Sequence, residues 1–296
     1  MRILVTGGAG FIGSNLAKYL TTHGHDTVIL DDFSSGDFRN LVKFTGDVYT
    51  DRCVNPPPGR FDVIFHAASI TDTTVTDQTK MMENNLERFR TVLSWAALWE
   101  ARVVWASSAA IYGNRPAPMR EADAPSPLNV YGYSKLAMER LAARWHTAAH
   151  LPIVALRYFN VYGPGEAHKG KFASMIYQLA QQMKAGKRPR IFHDGNQRRD
   201  FVWIDDVIQA NVKAMEVDGC HVLNVGSGVS ESFNSVIAEL NRVLHTNLQP
   251  EYIDNPYNFF QIHTEADITQ ARAILGYAPK MGLAEGMLNY HGSGAL

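Results

Sequence analysis

The sequence predicts an α/β protein built on a doubly wound, Rossmann-type parallel sheet with a smaller C-terminal α/β substrate-binding lobe. Three observations predict it. The first 32 residues run strand, glycine triplet, helix, strand and acid, in that order. Further short apolar strands alternate with helical patterns through the first half of the chain. At 296 residues the chain is long enough to bury a large core.

The opening unit carries the strongest signal. Residues 2–6 (Arg-Ile-Leu-Val-Thr) are apolar and β-branched, as a buried strand requires. Gly7, Gly10 and Gly13 follow, with Phe11 and Ile12 between the last two. In a dinucleotide site one glycine permits the tight turn, one lets backbone N–H groups approach a pyrophosphate, and one lets helix pack on strand. The helix that starts there turns its positive end toward the phosphates. A second strand at residues 27–30 ends in Asp31 and Asp32, placed to accept the adenosine ribose hydroxyls. A glycine-rich turn without a ligand is the bland alternative, and the ordered context argues against it. The cofactor expected is NAD, with NADP as the alternative, because a carboxylate at Asp32 would repel a 2′-phosphate.

Residues 42–44 read as a short third strand, and Asp47 with Val48 beyond it suit a contact with the adenine amino group. Three prolines at residues 56–58 mark a surface loop. Residues 61–65 form the next strand and end in His66, Ala67 and Ala68, where small residues let backbone pass beside a cofactor. Residues 80–100 read as one long helix whose Trp95, Leu98 and Trp99 belong to a core or subunit interface. Residues 102–106 are a strand with Ser107 and Ser108 at its C-terminal end, the edge where parallel sheets do their chemistry. Tyr131 and Lys135 are four apart and share one face of a helix. A lysine ammonium beside a tyrosine favours phenolate and makes Tyr131 a usable general base.

The second half reads as a lobe interleaved with the cofactor domain. The expected division is a dinucleotide domain over residues 1–160, joined again by 201–225, and a substrate lobe over 161–200 and 226–296. Residues 152–156 are a strand, 160–170 a polar loop and 184–190 a basic, solvated turn. Arg199 precedes a short strand and suits bidentate phosphate binding. Asp205 and Asp206 look like an N-cap, Ser232 opens a further helix, and residues 292–296 read as a frayed tail.

Composition excludes other classes. Twenty-eight basic and 29 acidic residues nearly cancel, so neither a nucleic-acid surface nor an anionic membrane is expected as partner. Cys53 and Cys220 are the only cysteines and fit no metal-ligand spacing. No metal site, a reduced cytoplasmic setting, no signal peptide and no spanning segment are expected.

The motif Thr-Gly-Gly-Ala-Gly-Phe-Ile-Gly, the strand-end serine and Tyr-x-x-x-Lys resemble the extended short-chain dehydrogenase/reductase family of nucleotide-sugar enzymes. Within it the chain is most similar to the ADP-L-glycero-D-manno-heptose 6-epimerases. That similarity rests on residues 73–74 (Thr-Thr) with 80–85 (Lys-Met-Met-Glu-Asn-Asn), 127–135 (Pro-Leu-Asn-Val-Tyr-Gly-Tyr-Ser-Lys), 157–164 (Arg-Tyr-Phe-Asn-Val-Tyr-Gly-Pro), 168–170 (His-Lys-Gly), 199–202 and 261–267. The resemblance implies a homo-oligomeric enzyme that oxidises a nucleotide-diphosphate sugar to a ketone and reduces it on the opposite face. It implies catalysis by Ser108, Tyr131, Lys135 and a second acid/base, Lys169. It adds Asn85 to the cofactor site and Asn160, His168, Arg199 and Gln261 to the substrate site. A departure is Phe259-Phe260, where the family has Arg-Tyr, which leaves room for a related nucleotide-heptose or hexose.

A UDP-hexose 4-epimerase is the nearest alternative. A 4,6-dehydratase fits poorly, since Ser108-Ala109-Ala110 stands where those enzymes have Thr-Asp-Glu. A non-catalytic NAD-dependent regulator would have no need of both Tyr131 and Lys135.

Overall fold

The computed structural model describes residues 1–255 and 261–296. Its centre is a seven-stranded, all-parallel sheet in the order β3-β2-β1-β4-β5-β6-β10. The strands are β1 (Arg2–Thr6), β2 (Asp26–Asp31), β3 (Val48–Thr50), β4 (Val63–His66), β5 (Arg102–Ser108), β6 (Ile153–Tyr158) and β10 (Cys220–Val225). Strands β7 (Asn160–Tyr162), β9 (Arg198–Trp203) and β11 (Ser230–Ser232) form a small second sheet, and β8 (Arg190–Phe192) pairs with β12 (Glu251–Ile253).

Side chains alternate across the central sheet, so it buries two separate cores. Ile3 and Val5 face one way, into a cluster with Phe11 and Leu16 of α1 (Phe11–Thr22). Leu4 faces the other way, toward Phe89, Trp95 and Trp99 of α3 (Arg88–Trp99) and Met138 of α4 (Val130–Ala149). Trp95 and Trp99 are therefore core, while Leu98 is exposed. The strand order reverses between β1 and β4, which opens a crevice at the carboxyl edge of the sheet.

Several expected elements move. The third strand lies at Val48–Thr50, not at 42–44. Asp37 caps a 3₁₀ turn at Phe38–Leu41, and it is Val48 that pairs with Ile29. The long helix is interrupted: α2 (Gln78–Met82), capped by Asp77, passes through a π-turn at Glu83–Glu87 before α3. The catalytic helix α4 starts at Val130, capped by Asn129, so Tyr131 and Lys135 both sit in its first two turns. The polar loop after β6 contains β7 and a 3₁₀ segment at Ala167–Phe172, and α5 (Met175–Lys184) follows.

Trp203, not an aspartate, occupies the N-cap position of α6 (Ile204–Ala214), which has no side-chain cap. Asp205 accepts from the Trp203 indole at 2.9 Å, and Asp206 accepts from the backbone of Lys280 and Met281. Ser232 caps α7 (Phe233–Leu244) as expected. Two further helices, α8 (Thr269–Leu275) and α9 (Leu283–Gly292), close the chain. The tail is not frayed: Leu296 is buried and its carbonyl accepts from Lys184 Nζ. No helix among the described residues is long and apolar enough to cross a membrane, and no three metal-ligating side chains gather.

One buried ion pair fastens α4 to the sheet. Arg157 on β6 donates from Nε and Nη2 to the two carboxylate oxygens of Glu139, at 2.9 and 2.7 Å. Ser107 Oγ donates to the same carboxylate at 2.6 Å. Removing one partner leaves the other as an uncompensated buried charge, so Arg157→Ala is expected to cost about 3–5 kcal/mol in urea denaturation. Replacing both with methionine should cost clearly less. A loss below about 1 kcal/mol for Arg157→Ala, the range of an exposed pair, would contradict this.

Candidate active site

A single cavity of about 1110 Å³ runs along the carboxyl edge of the central sheet and takes in the glycine turn, the ends of β2, β4 and β5, and α4. Its floor at one end is backbone. Gly7 has φ +70°, and a Cβ there would stand 2.5 Å from the Ala68 nitrogen; one on Gly13 would stand 2.2 Å from the Gly7 carbonyl oxygen. Turn, strand end and helix are thus packed closer than any side chain allows. The α1 N-terminus has no side-chain cap and no acidic residue in its first turn, so its amides face the cavity free for an anion. These features fit a dinucleotide pyrophosphate. Gly7, Gly10, Phe11, Ile12 and Gly13 line the cavity, as do Ala67 and Ala68.

The two aspartates divide their work. Asp31 is buried, and its carboxylate accepts from the Ala9 and Phe33 amides, both at 2.8 Å, so it braces the glycine turn. Asp32 faces outward; Oδ1 accepts from Ser34, and Oδ2 lies 3.3 Å from Arg52 Nε. Asp47 and Val48 do not reach the cavity. They sit exposed at the amino end of β3, whereas Asp51, Arg52 and Cys53 follow its carboxyl end and line the site. The displaced third strand is the reason. Asn85 is buried off the cavity: it accepts from the Ile70 amide and donates to the Ile70 carbonyl and Ser134 Oγ. It braces the loop after β4 from the π-turn, and Asn84 is the neighbour that lines the cavity.

Ser108, Tyr131 and Lys135 meet at the far end of the same crevice. The Ser108 hydroxyl accepts from the Ala110 amide at 3.1 Å. Burial pushes the Tyr131 phenol above its usual value near 10, and the Ser108 hydroxyl beside it pulls it back. The expected tuning by Lys135 is not what the geometry delivers. Lys135 Nζ lies 5.9 Å from the Tyr131 ring centre and donates to Ser69 Oγ at 2.5 Å and the Ala106 carbonyl at 2.7 Å. Its own burial holds it down at about 7, with the Glu139 charge opposing. Ser69 had no sequence signal; only the fold brings it to Lys135.

A further wall of the cavity, which reaches back over Phe11 of the glycine turn, carries several cations. Asn160, His168, Lys169 and Arg199 all line it, joined by Lys171 and Arg190. Lys169 Nζ stands 5.8 Å over the Phe11 ring; burial lowers its pKa and Glu166 raises it. His168 Nδ1 is 3.1 Å from Asn40 Nδ2 and 3.0 Å from the Gly165 carbonyl. Burial lowers the Arg199 guanidinium to about 10, which leaves it charged at neutral pH. Arg190, expected in a solvated turn, instead begins β8 at the cavity wall. Gln261 does not line the cavity; its side-chain amide donates to the Gly113 carbonyl. Phe259 and Phe260 lie outside the described residues.

A Rossmann-type sheet, a glycine cradle with an uncapped helix N-terminus, and a Ser-Tyr-Lys set at the carboxyl edge define a dinucleotide-dependent enzyme that moves a proton at a hydroxyl. The sequence model of the NAD dependent epimerase/dehydratase family matches residues 3–226, and the chain belongs to that family. Among solved structures it is similar to the Helicobacter pylori ADP-L-glycero-D-manno-heptose-6-epimerase, with 41% identity over 99% of this chain and 95% of that one and a TM-score of 0.91. It is also similar to the Thermotoga maritima UDP-glucose 4-epimerase with UDP-glucose, at 28% identity, 99% of both chains and a TM-score of 0.90. The Bacillus cereus UDP-glucuronic acid 4-epimerase, in complex with UDP-glucuronic acid and NAD, matches at 29% identity over 98% and 97% with a TM-score of 0.86.

Lys135 yields a stability test without ligand. An unfolded lysine keeps its proton up to about pH 10.4, whereas the folded one releases it near 7. Between those values the unfolded chain binds the extra proton, so this group makes stability rise with pH by up to ~1.4 kcal/mol per unit. Below 7 its contribution is flat. Urea midpoints at pH 7.5 and 9 should therefore rise more in the native protein than in Lys135→Met, and equal slopes would show that the lysine is not held neutral.

Proposed function

We propose that the protein is a nucleotide-sugar epimerase acting on an ADP-glycero-manno-heptose at carbon 6, with NAD as its cofactor. The observation that carries this reading is that Ser108, Tyr131, Lys135 and Lys169 line one cavity in a chain 41% identical to the Helicobacter heptose 6-epimerase. The UDP-sugar epimerases named above stand at 28% and 29%. Lys171, Arg190 and Arg199 on the cavity wall suit the diphosphate of such a substrate.

In this mechanism Tyr131 Oη takes the proton of the sugar hydroxyl, and Ser108 Oγ holds that hydroxyl in place. Bound, the oxidised dinucleotide supplies a hydride acceptor and a positive charge that favours the Tyr131 phenolate. Lys135 Nζ, beside Ser69 and the β5 edge, is placed to hold the nicotinamide ribose. Inversion requires return of the hydride to the other face of a planar carbonyl, and there Lys169 Nζ serves as the second proton carrier.

Tyr131→Phe and Lys169→Met should each lower epimerisation of ADP-heptose by about 10²–10⁴-fold, the usual worth of a positioned acid/base. Dismutation of an aldehyde analogue of the sugar should survive in at least one of them. Near wild-type epimerisation by Lys169→Met would mean a single base, Tyr131, and a ketone that turns over in the site. Inversion of UDP-galactose in preference to ADP-heptose, followed by NMR, would replace the substrate assignment with a 4-epimerase.

Asp32 is the carboxylate placed to meet the adenosine ribose, since Asp31 is buried as a brace of the glycine turn whereas Asp32 is half-buried on the cavity wall. Its charge disfavours a 2′-phosphate, and Arg52 at 3.3 Å softens that repulsion. A fluorescence titration is expected to show NAD binding about tenfold tighter than NADP, the effect of ~1.4 kcal/mol. Equal or tighter binding of NADP overturns the preference.

A further inference from the structure

One buried carboxylate ties together the two ends of the loop that carries Lys169, which Asn15 also holds at the Pro164 carbonyl and Asn40 at His168. Glu166 has no exposed surface, a costly position for a charge unless its oxygens are saturated with donors. They are. Oε1 accepts from the Gly163 amide at 3.2 Å, from Ser174 Oγ at 2.8 Å and from the Tyr290 hydroxyl at 3.2 Å, and Oε2 accepts from the Ser174 amide. Gly163 and Ser174 are the two ends of the loop, and Ser174 also caps α5. The Glu166 carbonyl accepts from the Lys169 amide at 2.9 Å.

We propose that Glu166 is the positioning residue for Lys169, and that Tyr290 on α9 completes the clamp from outside the cavity. This rests on the reading of Lys169 as the second acid/base. One carboxylate pins both ends of residues 163–174, so the segment between them, which presents His168, Lys169 and Lys171 to the cavity, has fixed ends. Gly170 breaks the 3₁₀ segment Ala167–Phe172, at φ +52° and ψ −118°. It lies just past Lys169 and has open space around it, so the backbone on that side of the lysine is set by the clamped loop ends, while the side chain itself rests over the Phe11 ring.

The same carboxylate is the negative charge that opposes the effect of burial on Lys169. The other titratable neighbours act on His168: Asp37 and Arg39 from the turn beside α1, and Lys169 itself. Neither Glu166 nor Tyr290 lines the cavity, so both act through the loop. Tyr290 contributes one hydrogen bond on the C-terminal helix and leaves the ligand contacts alone.

The test compares Glu166→Gln, Tyr290→Phe and Lys169→Met. The expected result for Tyr290→Phe is a several-fold lower kcat for ADP-heptose epimerisation with KM and the Kd for NAD unchanged. Glu166→Gln should lose more than tenfold, with aldehyde dismutation retained. Competitive acetylation, which reads the Lys169 pKa in the protein without substrate, should show that pKa fall in Glu166→Gln. A bystander carboxylate would move melting temperature alone. Should Glu166→Gln fail to fold, Tyr290→Phe carries the test. If Lys169→Met is inactive while the clamp variants keep wild-type kcat and Lys169 pKa, the positioning role is wrong and the two-base reading stands. If Lys169→Met itself epimerises normally, it is the two-base reading that falls.

Discussion

The Glu139–Arg157 pair is the constraint on which the catalytic geometry depends. It ties the third turn of α4 to β6, and through Ser107 it also grips the end of β5, one residue before Ser108. Tyr131 and Lys135 lie two turns and one turn before Glu139 on that same helix. Their height above the sheet edge is therefore fixed by an ion pair as well as by the apolar packing of Met138, Leu141 and Ala142. Arg157 is held in turn by the Tyr112 ring, 4.7 Å from its guanidinium carbon. A buried pair gives little net stability against an apolar alternative, but it specifies one register.

Every other buried carboxylate near the cavity follows a related pattern with a different donor set. Asp31 is satisfied by two backbone amides of the glycine turn and its own bend. Asp200 on β9 accepts from the amides of Ser227, Gly228 and Ala266 and from Ser227 Oγ, which ties β9 to the segment after β10 and to the stretch before α8. Burial raises the pKa of both acids, and the amides pull it down. Lys135 is the contrast: it is buried with neutral oxygens as partners and is left near neutrality. A cavity built this way pushes its buried acids upward against the pull of backbone amides and leaves its lysine exchangeable near neutrality.

What could be read in the sequence was what local structure determines. Gly7, Gly10 and Gly13 act within one strand–turn–helix unit, and Tyr131 and Lys135 share a face because they are four residues apart. The central sheet followed from the same strand–helix alternation. Roles that depend on long-range placement were not legible. Asn85 became a brace because a π-turn aims it at Ile70 and Ser134. Asp47 lost its place because the third strand begins at Val48, putting Arg52 at the carboxyl edge instead. Arg190 looked like one charge in a solvated turn until its pairing with the Glu251–Ile253 strand set it at the wall. Glu166 carries no motif, since its meaning lies in partners as distant as Tyr290.

The division of the site between two sets of elements explains how one scaffold serves different sugars. The Ser-Tyr-Lys set and the glycine cradle stand on the seven-stranded sheet, where the two cores hold each strand from both faces. The cations stand on the loop after β7, on β8 and on β9, none of which belongs to that sheet. Backbones of 4-epimerases and a 6-epimerase superimpose on this chain with TM-scores from 0.86 to 0.91, so the sheet cannot be what distinguishes the carbon that is inverted. In the proposed reading that choice falls to side chains on the outer elements, which line the cavity beyond the Ser-Tyr-Lys set. A loop whose two ends are pinned by one carboxylate can change its central residues without disturbing the redox apparatus. In the proposed reading, the proton carrier for the second face has its place there for the same reason: it must suit the substrate, whereas Tyr131 must suit the cofactor.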